Sequence, residues 1–209
     1  MPTDIEVFEQ HDLDAIIINA AGCGSTLKEY GQLLRDDPAW AERGRKFSAR
    51  VKDLTEVLVA GDFFKHPCSP HPGPLPQGEG GQRPGEGESA LRTPHSAPKV
   101  TYHDACHLAH PQRITKQPRD LVKAVAGNNF VELPESDVCC GSAGSYNLTE
   151  PEMAERLQRR KIENILKTGA QMVITTNPGC ILQIRAGLKK AGANIEVLHI
   201  ADFLARALD

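Results

Sequence analysis

The chain has 209 residues, of which 40% are hydrophobic and 24% are charged, and its formal net charge is −3. This is the composition of a soluble globular protein, and its charge gives no electrostatic case for binding nucleic acid or an anionic membrane surface. No apolar run approaches membrane-spanning length, and the N-terminus has no export signal. Six cysteines without an export signal indicate a reducing compartment, where cysteines more often bind metal or react than form disulfides. We therefore expect a cytoplasmic protein, with at most a peripheral association at the inner face of the membrane.

The first 65 residues alternate helical and strand patterns. A short helix is predicted over residues 4–10, and the apolar run 14–19 predicts a strand that is buried on both faces. The glycines around Cys23 turn the chain into a helix that runs to about residue 34. Another helix is predicted over residues 47–59. Its apolar residues have the spacing of one helix face: Val51, Leu54, Val57 and Leu58.

Residues 66–98 break this alternation. They are rich in proline and glycine and contain no aromatic residue and no β-branched aliphatic residue. Such a segment cannot bury enough apolar surface to offset the entropy lost on ordering. We predict a disordered insertion here, and we interpret Cys68, which lies within it, as uninvolved in any site.

Strands and helices alternate again after the insertion. The predicted strands are residues 99–103, 129–133, 171–176 and 197–199, and the predicted helices are 118–126, 151–168, 180–190 and 201–208. Alternation of this kind indicates an α/β protein with mostly parallel sheets and flanking helices.

An internal repeat relates the two halves of the chain. Residues 14–23 and 171–180 each combine an apolar strand, a short Asn-containing turn and a cysteine at the start of a helix. Nothing before Cys23 corresponds to Cys106 or to the Cys139–Cys140 pair, so the first copy lacks its front half. We expect the C-terminal part of a two-repeat protein, with residues 1–65 as the C-terminal half of a first repeat, 66–98 as the insertion and 99–209 as a complete second repeat.

Five cysteines follow predicted strands: Cys23, Cys106, Cys139, Cys140 and Cys180. The carboxyl ends of parallel strands share one edge of a sheet, and ligands bind there. Cys23 and Cys180 also begin helices, whose N–H groups and dipole favour a thiolate. Cys106, Cys139, Cys140 and Cys180 suffice for one ordinary iron–sulfur cluster, and they would also bind structural zinc. Buried, inert thiols are the remaining alternative.

Three histidines lie close to Cys106 in the sequence, namely His103, His107 and His110. We interpret them as hydrogen-bond donors around the site or as solvated loop residues, rather than as a metal site of their own. The lysines and glutamates along residues 152–167 are interpreted as a solvated helix face.

The spacing and wording of the cysteine motifs resemble a known family. Cys106 precedes Cys139 by 33 positions and Cys180 follows Cys140 by 40, as in the CCG cysteine-rich repeat of heterodisulfide reductases and their relatives. Three motifs are similar to those of the iron–sulfur subunits of bacterial glycolate oxidases: HDACHL at 103–108, CCGSAG at 139–144 and NPGC at 177–180.

The chain departs from the family pattern at two places. The family's Cys-x-x-Cys reads Asn177-Pro178-Gly179-Cys180 here, and Ala20 stands at the matching place before Cys23. The glycolate oxidase subunits also carry an N-terminal ferredoxin-like domain, and this chain contains none of its Cys-x-x-Cys-x-x-Cys runs.

The resemblance implies a role in electron transfer. It points to the iron–sulfur subunit of a flavin-dependent glycolate (2-hydroxy acid) oxidase, with a 4Fe-4S type of cluster here and FAD only on a partner subunit. Cys106, Cys139, Cys140 and Cys180 would be the metal ligands, and Cys23 would be a further cofactor-binding residue. Two alternatives stay open: a zinc-stabilised α/β interaction module, and a truncated, non-functional fragment of that subunit.

Overall fold

The computed structural model describes residues 2–61 and 97–208, so Cys68 and most of the predicted insertion lie outside the described residues. The first range contains α1 (Pro2–Glu9), β1 (Ile16–Ile18), α2 (Ala21–Lys28), α3 (Tyr30–Leu33), α4 (Ala41–Arg50), β2 (Val51–Asp53) and α5 (Leu54–Ala60). The second contains β3 (Val100–Tyr102), α6 (Cys106–Ala109), α7 (Lys116–Ala126), α8 (Tyr146–Thr149), α9 (Pro151–Thr168), β4 (Met172–Thr175), α10 (Pro178–Lys190), β5 (Glu196–His199) and α11 (Ile200–Ala205). No helix within these two ranges combines the length and apolar character needed to cross a bilayer.

The strands form two small sheets, and every strand pairing in them is parallel. β1 pairs with β2 in a two-stranded sheet, and β3, β4 and β5 form a three-stranded sheet in that order. Parallel neighbours need a crossover connection, which helices provide here. The α/β class with parallel sheets, predicted from the alternation of elements, is confirmed.

The three-stranded sheet is buried on both faces. On one face Val173 packs in a core that includes Ile184 of α10. On the other face Tyr102 and Ile174 pack with Phe203 of α11. Successive side chains of a strand point to opposite faces, so each strand contributes to both cores. All four residues of β4 are buried, as predicted for this segment.

Residues 2–61 pack onto residues 97–208. Ala21 of α2 belongs to the same buried cluster as Ala105. Leu58 and Val59 of α5 pack against the core on the other face of the sheet. The Ala21 N–H donates to the carbonyl of Thr176 at 3.2 Å. The start of α2 therefore lies against the edge where β4 ends.

The prediction of one helix over residues 47–59 is wrong, because β2 separates α4 from α5. Val51 begins this strand and pairs with Ile16 of β1. Asp53 ends the strand and caps α5, since its carboxylate accepts the Thr55 N–H at 2.8 Å. A three-residue strand between two helices is too short to show an alternating pattern, and its apolar residue happens to continue the helical spacing.

Two predicted strands also differ in detail. Ile17 of β1 is 51% exposed, so this strand is buried on one face only, because the described residues cover a single face of the two-stranded sheet. Residues 129–133 do not form a full strand. Phe130 makes one isolated bridge to Val100. The Thr101 hydroxyl then donates to the carbonyl of Val131 at 2.7 Å, so the segment leaves the sheet.

Candidate metal centre

Parallel strands bring the cysteine-bearing segments to one edge of the larger sheet. β3 leads to α6, whose first residue is Cys106, and the neighbouring β4 leads to α10, whose third residue is Cys180. The segment that carries the Cys139–Cys140 pair joins them, because the Asp104 N–H donates to the carbonyl of Ser136 at 3.2 Å. Segments far apart in sequence therefore meet where two parallel strands end.

Three buried donor atoms converge at this edge. A ring nitrogen of His103 and the sulfurs of Cys140 and Cys180 all lie within 4.8 Å of one another. These residues are 0%, 1% and 2% exposed. The Cys139 sulfur interacts with those of Cys106 and Cys140, and Cys139 and Cys106 are half-buried. Four free thiols and one imidazole thus form a continuous group of metal-binding side chains.

The four thiols divide into donors and acceptors of hydrogen bonds. Interaction with the Cys106 and Cys140 thiols lowers the pKa of Cys139, and interaction with Cys140 lowers the pKa of Cys180. The same contacts, together with burial, raise the pKa of Cys106 and of Cys140. Cys139 and Cys180 therefore carry thiolate character, and the thiolate is the form that binds metal.

Further N–H groups point at the two acceptor sulfurs. The Gly141 N–H donates to Cys139 Sγ at 3.3 Å, and Asn177 Nδ2 donates to Cys180 Sγ at 3.5 Å. The turns that carry them approach closely, since a Cβ on Gly179 would lie 2.8 Å from Ser142 Oγ. Hydrogen bonds of this kind stabilise negative charge on sulfur.

A buried lysine holds the segment that precedes the cysteine pair. Lys161 of α9 is 1% exposed, and its Nζ donates to the carbonyls of Glu135 at 2.5 Å and Ser136 at 3.2 Å. Burial lowers the pKa of this ammonium group. The interpretation of residues 152–167 as a solvated face is wrong for Lys161, because two backbone carbonyls replace water around its charge.

An arginine ties the same segment to the end of β3. Arg119 Nη2 pairs with Asp104 Oδ2 at 2.5 Å and donates to Ser136 Oγ at 3.2 Å. A second ion pair joins Arg119 to Glu132. Asp104 is almost completely buried, so this charge pair is shielded from water on the carboxylate side. Lys161 and Arg119 together hold the segment that positions the Cys139–Cys140 pair.

The three histidines have different environments. His107 Nδ1 lies 3.5 Å from Cys106 Sγ, and the exposed His110 has its Nε2 3.4 Å from the Asp137 carbonyl. These two match the interpretation as hydrogen-bonding loop residues. His103 instead is fully buried among the cysteine donor atoms and interacts with the Cys180 thiol, a placement that the sequence interpretation did not specify. Its position directly after β3, the strand that leads to Cys106, is the signal that could have identified it.

Comparison with known proteins identifies the part of the chain that carries this group. Residues 100–185 match the sequence model of the family described as CCG, cysteine-rich domain. The matched range contains all four convergent cysteines and His103. The resemblance predicted from the spacing of the cysteines is therefore confirmed.

The chain is similar over nearly its whole length to longer proteins, and it spans less than half of the first of them. It is 38% identical over 206 residues to the "Probable glycolate oxidase iron-sulfur subunit" of Bacillus subtilis (strain 168), covering 98% of this chain and 41% of that protein. It is 29% identical over 200 residues to "Lactate utilization protein A" of Shouchella clausii (strain KSM-K16), covering 96% and 72%. The B. subtilis (strain 168) protein of that name is 28% identical over 200 residues, covering 96% and 73%.

Cys23 lies outside the range that matches the CCG model and outside the converged group. It is exposed, and it is the third residue of α2, the place that Cys180 has in α10. The two parts of the chain also correspond after β2 and β5, the last strand of each part. Asp53 and His199 end β2 and β5, and the side chain of each accepts a backbone N–H of the helix that follows. The partial repeat over residues 1–65 and the role of Cys23 as a ligand stay predictions.

Proposed function

We propose that this chain binds an iron–sulfur cluster through Cys106, Cys139, Cys140 and Cys180 and serves as an electron-transfer subunit of an oxidoreductase complex. The observation that carries the proposal is the convergence of four free thiols at one edge of the sheet. Such a cluster supplies one-electron transfer when it is bound. We propose the 4Fe-4S type, because it takes four thiolate ligands.

The residues at the site fit such a group in three respects. Contacts with the neighbouring thiols lower the pKa values of Cys139 and Cys180 and so favour the thiolate form that binds metal. The Gly141 N–H and the Asn177 amide donate to their sulfurs and thereby reduce the negative charge there. Cys140 and Cys180 are buried, which limits access of water. Hydrogen bonds to sulfur and solvent exclusion are the means by which a protein sets the potential of an iron–sulfur centre.

Substrate oxidation is proposed for a partner subunit that carries FAD. Oxidation of a 2-hydroxy acid removes two electrons, which suits a flavin, whereas cysteine thiolates offer no hydride acceptor. The relatives include a glycolate oxidase subunit and lactate utilization proteins by name. Glycolate and lactate are both 2-hydroxy acids. We therefore propose a substrate of this class, glycolate in the first instance, for the assembled complex.

Zinc binding is the second candidate function, and one observation favours it. The His103 nitrogen and the Cys140 and Cys180 sulfurs lie within 4.8 Å of one another. Donors this close can share a single ion, given metal–ligand bonds of about 2.0–2.3 Å. The domain would then be a zinc-stabilised module that holds a complex together without carrying electrons.

Metal and sulfide analysis of anaerobically purified protein tests this proposal. We expect iron and acid-labile sulfide in comparable molar amounts, with a broad visible charge-transfer absorption. Colourless protein with about one zinc per chain would contradict the proposal and support the zinc module. Protein from iron-supplemented cells that holds neither metal would contradict both. Growth with and without added zinc is the control for exchange of one metal for the other.

A further inference from the structure

His103 is fully buried, and one of its two ring nitrogens is left without a well-formed hydrogen bond in the described part of the chain. The residue is 0% exposed. Nδ1 lies 3.0 Å from the carbonyl of Ser136, so Nδ1 carries a proton and donates it to that oxygen. Nε2 is buried and has no partner with hydrogen-bond geometry among the described residues, although the imidazole is close enough to the Cys180 thiol to lower its pKa. A buried polar atom without a partner is unfavourable, and native proteins rarely keep one without a reason.

The neighbours of His103 show what its free nitrogen faces. With Nδ1 committed to Ser136, Nε2 is the nitrogen left to approach the sulfurs of Cys140 and Cys180, which lie within 4.8 Å. In the neutral ring Nε2 has a lone pair and no proton. An imidazole nitrogen buried beside two cysteine sulfurs, with the other ring nitrogen bonded to a carbonyl, is the arrangement of a metal ligand.

The orientation of the ring is fixed by the backbone on its other side. The Ser136 carbonyl accepts from His103 Nδ1, from the Asp104 N–H at 3.2 Å and from Lys161 Nζ at 3.2 Å. Histidines that bind metals almost always donate their second N–H to a carbonyl or carboxylate, which sets the tautomer and the direction of the ligating nitrogen. His103 already has this second contact.

The Asn177 side chain does not offer a metal ligand as His103 does. It stands where the resemblance expects a cysteine, but its Nδ2 donates to Cys180 Sγ at 3.5 Å. Its amide therefore acts on the charge of a sulfur, while the His103 nitrogen offers a lone pair. The buried end of the site consists of His103, Cys140 and Cys180, and the half-buried end consists of Cys139 and Cys106.

We propose that His103 Nε2 is a fifth ligand of the metal centre, so that one imidazole joins the four cysteine thiolates in the donor set. For iron this inference rests on the proposed function, and it specifies which non-cysteine residue takes part. Imidazole is neutral where thiolate is negative. A centre with an imidazole ligand therefore has a higher reduction potential than an all-thiolate centre of the same type.

Pulsed electron paramagnetic resonance on the full chain tests the ligand directly. The iron-loaded, reduced protein is prepared with natural-abundance and with ¹⁵N-labelled histidine. We expect nitrogen modulation that changes on labelling in the wild type and in His110→Gln, the control at an exposed histidine of the same region. His103→Gln should lose it. Iron-loaded wild type without histidine-dependent modulation would overturn the proposal, and this arm needs no variant to fold.

The reduction potential gives a second readout. His103→Cys, which offers a thiolate at the same place, should keep the centre and lower its potential relative to the wild type. His103→Gln should hold less metal, because its amide is a poor ligand. Equal metal content and an unchanged spectrum in His103→Gln would show that the residue is at most a neighbour of the centre, and would overturn the proposal.

Cobalt separates this proposal from the proposed function. Wild type without iron or sulfide would contradict the electron-transfer role alone. Co²⁺ added to the apo-protein then reports on the same donors through its visible bands. If Nε2 binds, His103→Gln shifts or loses the bands and His110→Gln does not. Identical spectra in the two variants, or no Co²⁺ binding by the wild type, would overturn the His103 ligand.

Discussion

Replacing Cys180 with serine should remove the metal centre, whereas the same replacement at Cys23 should leave it in place. Both residues are the third residue of a helix, but Cys180 is buried against Cys140 while Cys23 is exposed. A hydroxyl is a poor ligand for iron. Loss of residues that only orient metal ligands already costs about 10- to 100-fold in affinity, so loss of a ligand should cost at least as much.

The measurement is iron and sulfide per chain after anaerobic purification of both variants beside the wild type. We expect a fall of about tenfold or more for Cys180→Ser. Full metal content in Cys180→Ser would contradict the assignment of this ligand. Loss of metal in Cys23→Ser would place Cys23 among the ligands, as the sequence analysis proposed.

Gly141→Ala should destabilise the protein strongly and disturb the turn that carries the cysteine pair. Gly141 has φ +89°, and a Cβ there would lie 2.3 Å from the carbonyl oxygen of Ala154. Backbone strain costs about 1–2 kcal/mol, and overpacking against a fixed helix backbone adds about 1–3 kcal/mol. We expect the free energy of unfolding of the apo-protein to fall by about 2–5 kcal/mol, and metal content to fall because the Gly141 N–H no longer meets Cys139 Sγ.

Gly144→Ala is the matched control for this effect. Gly144 lies in the same turn region with φ +60°, but a Cβ there would have nothing within 4 Å. It should show only the strain, about 1 kcal/mol, and keep its metal. Urea unfolding and iron analysis of both variants give the comparison. Equal losses of unfolding free energy and of iron in the two variants would show that the contact with Ala154 adds nothing to the effect of Gly141→Ala.

The parts of this structure that local signals determine could be predicted. Pro151 and Gly169 bracket a helix of regular spacing, and α9 has the predicted bounds. Apolar runs predicted the parallel strands β4 and β5, and the rule that such strands end at one edge predicted that distant cysteines would meet. The α/β class followed from these features, and the resemblance to the CCG cysteine-rich family followed from the spacing and wording of the cysteine motifs.

Features that depend on contacts between distant segments could not be predicted. Lys161 was interpreted as solvated because its partners are carbonyls 25 and 26 positions away. The role of His103 depends on where the segment around Ser136 folds back over β3. The sequence predicts helix where β2 lies, because a three-residue strand is too short to show an alternating pattern of apolar and polar residues. In each case the deciding partner is absent from the local sequence.

A crystal structure of the anaerobically purified protein, with anomalous diffraction data collected at the iron absorption edge, tests the central claim most directly. The proposal predicts a strong iron peak at the edge of the sheet, within bonding reach of the sulfurs of Cys140 and Cys180 and beside Cys139. A peak remote from these residues, or no peak in protein that folds and crystallises, would contradict it.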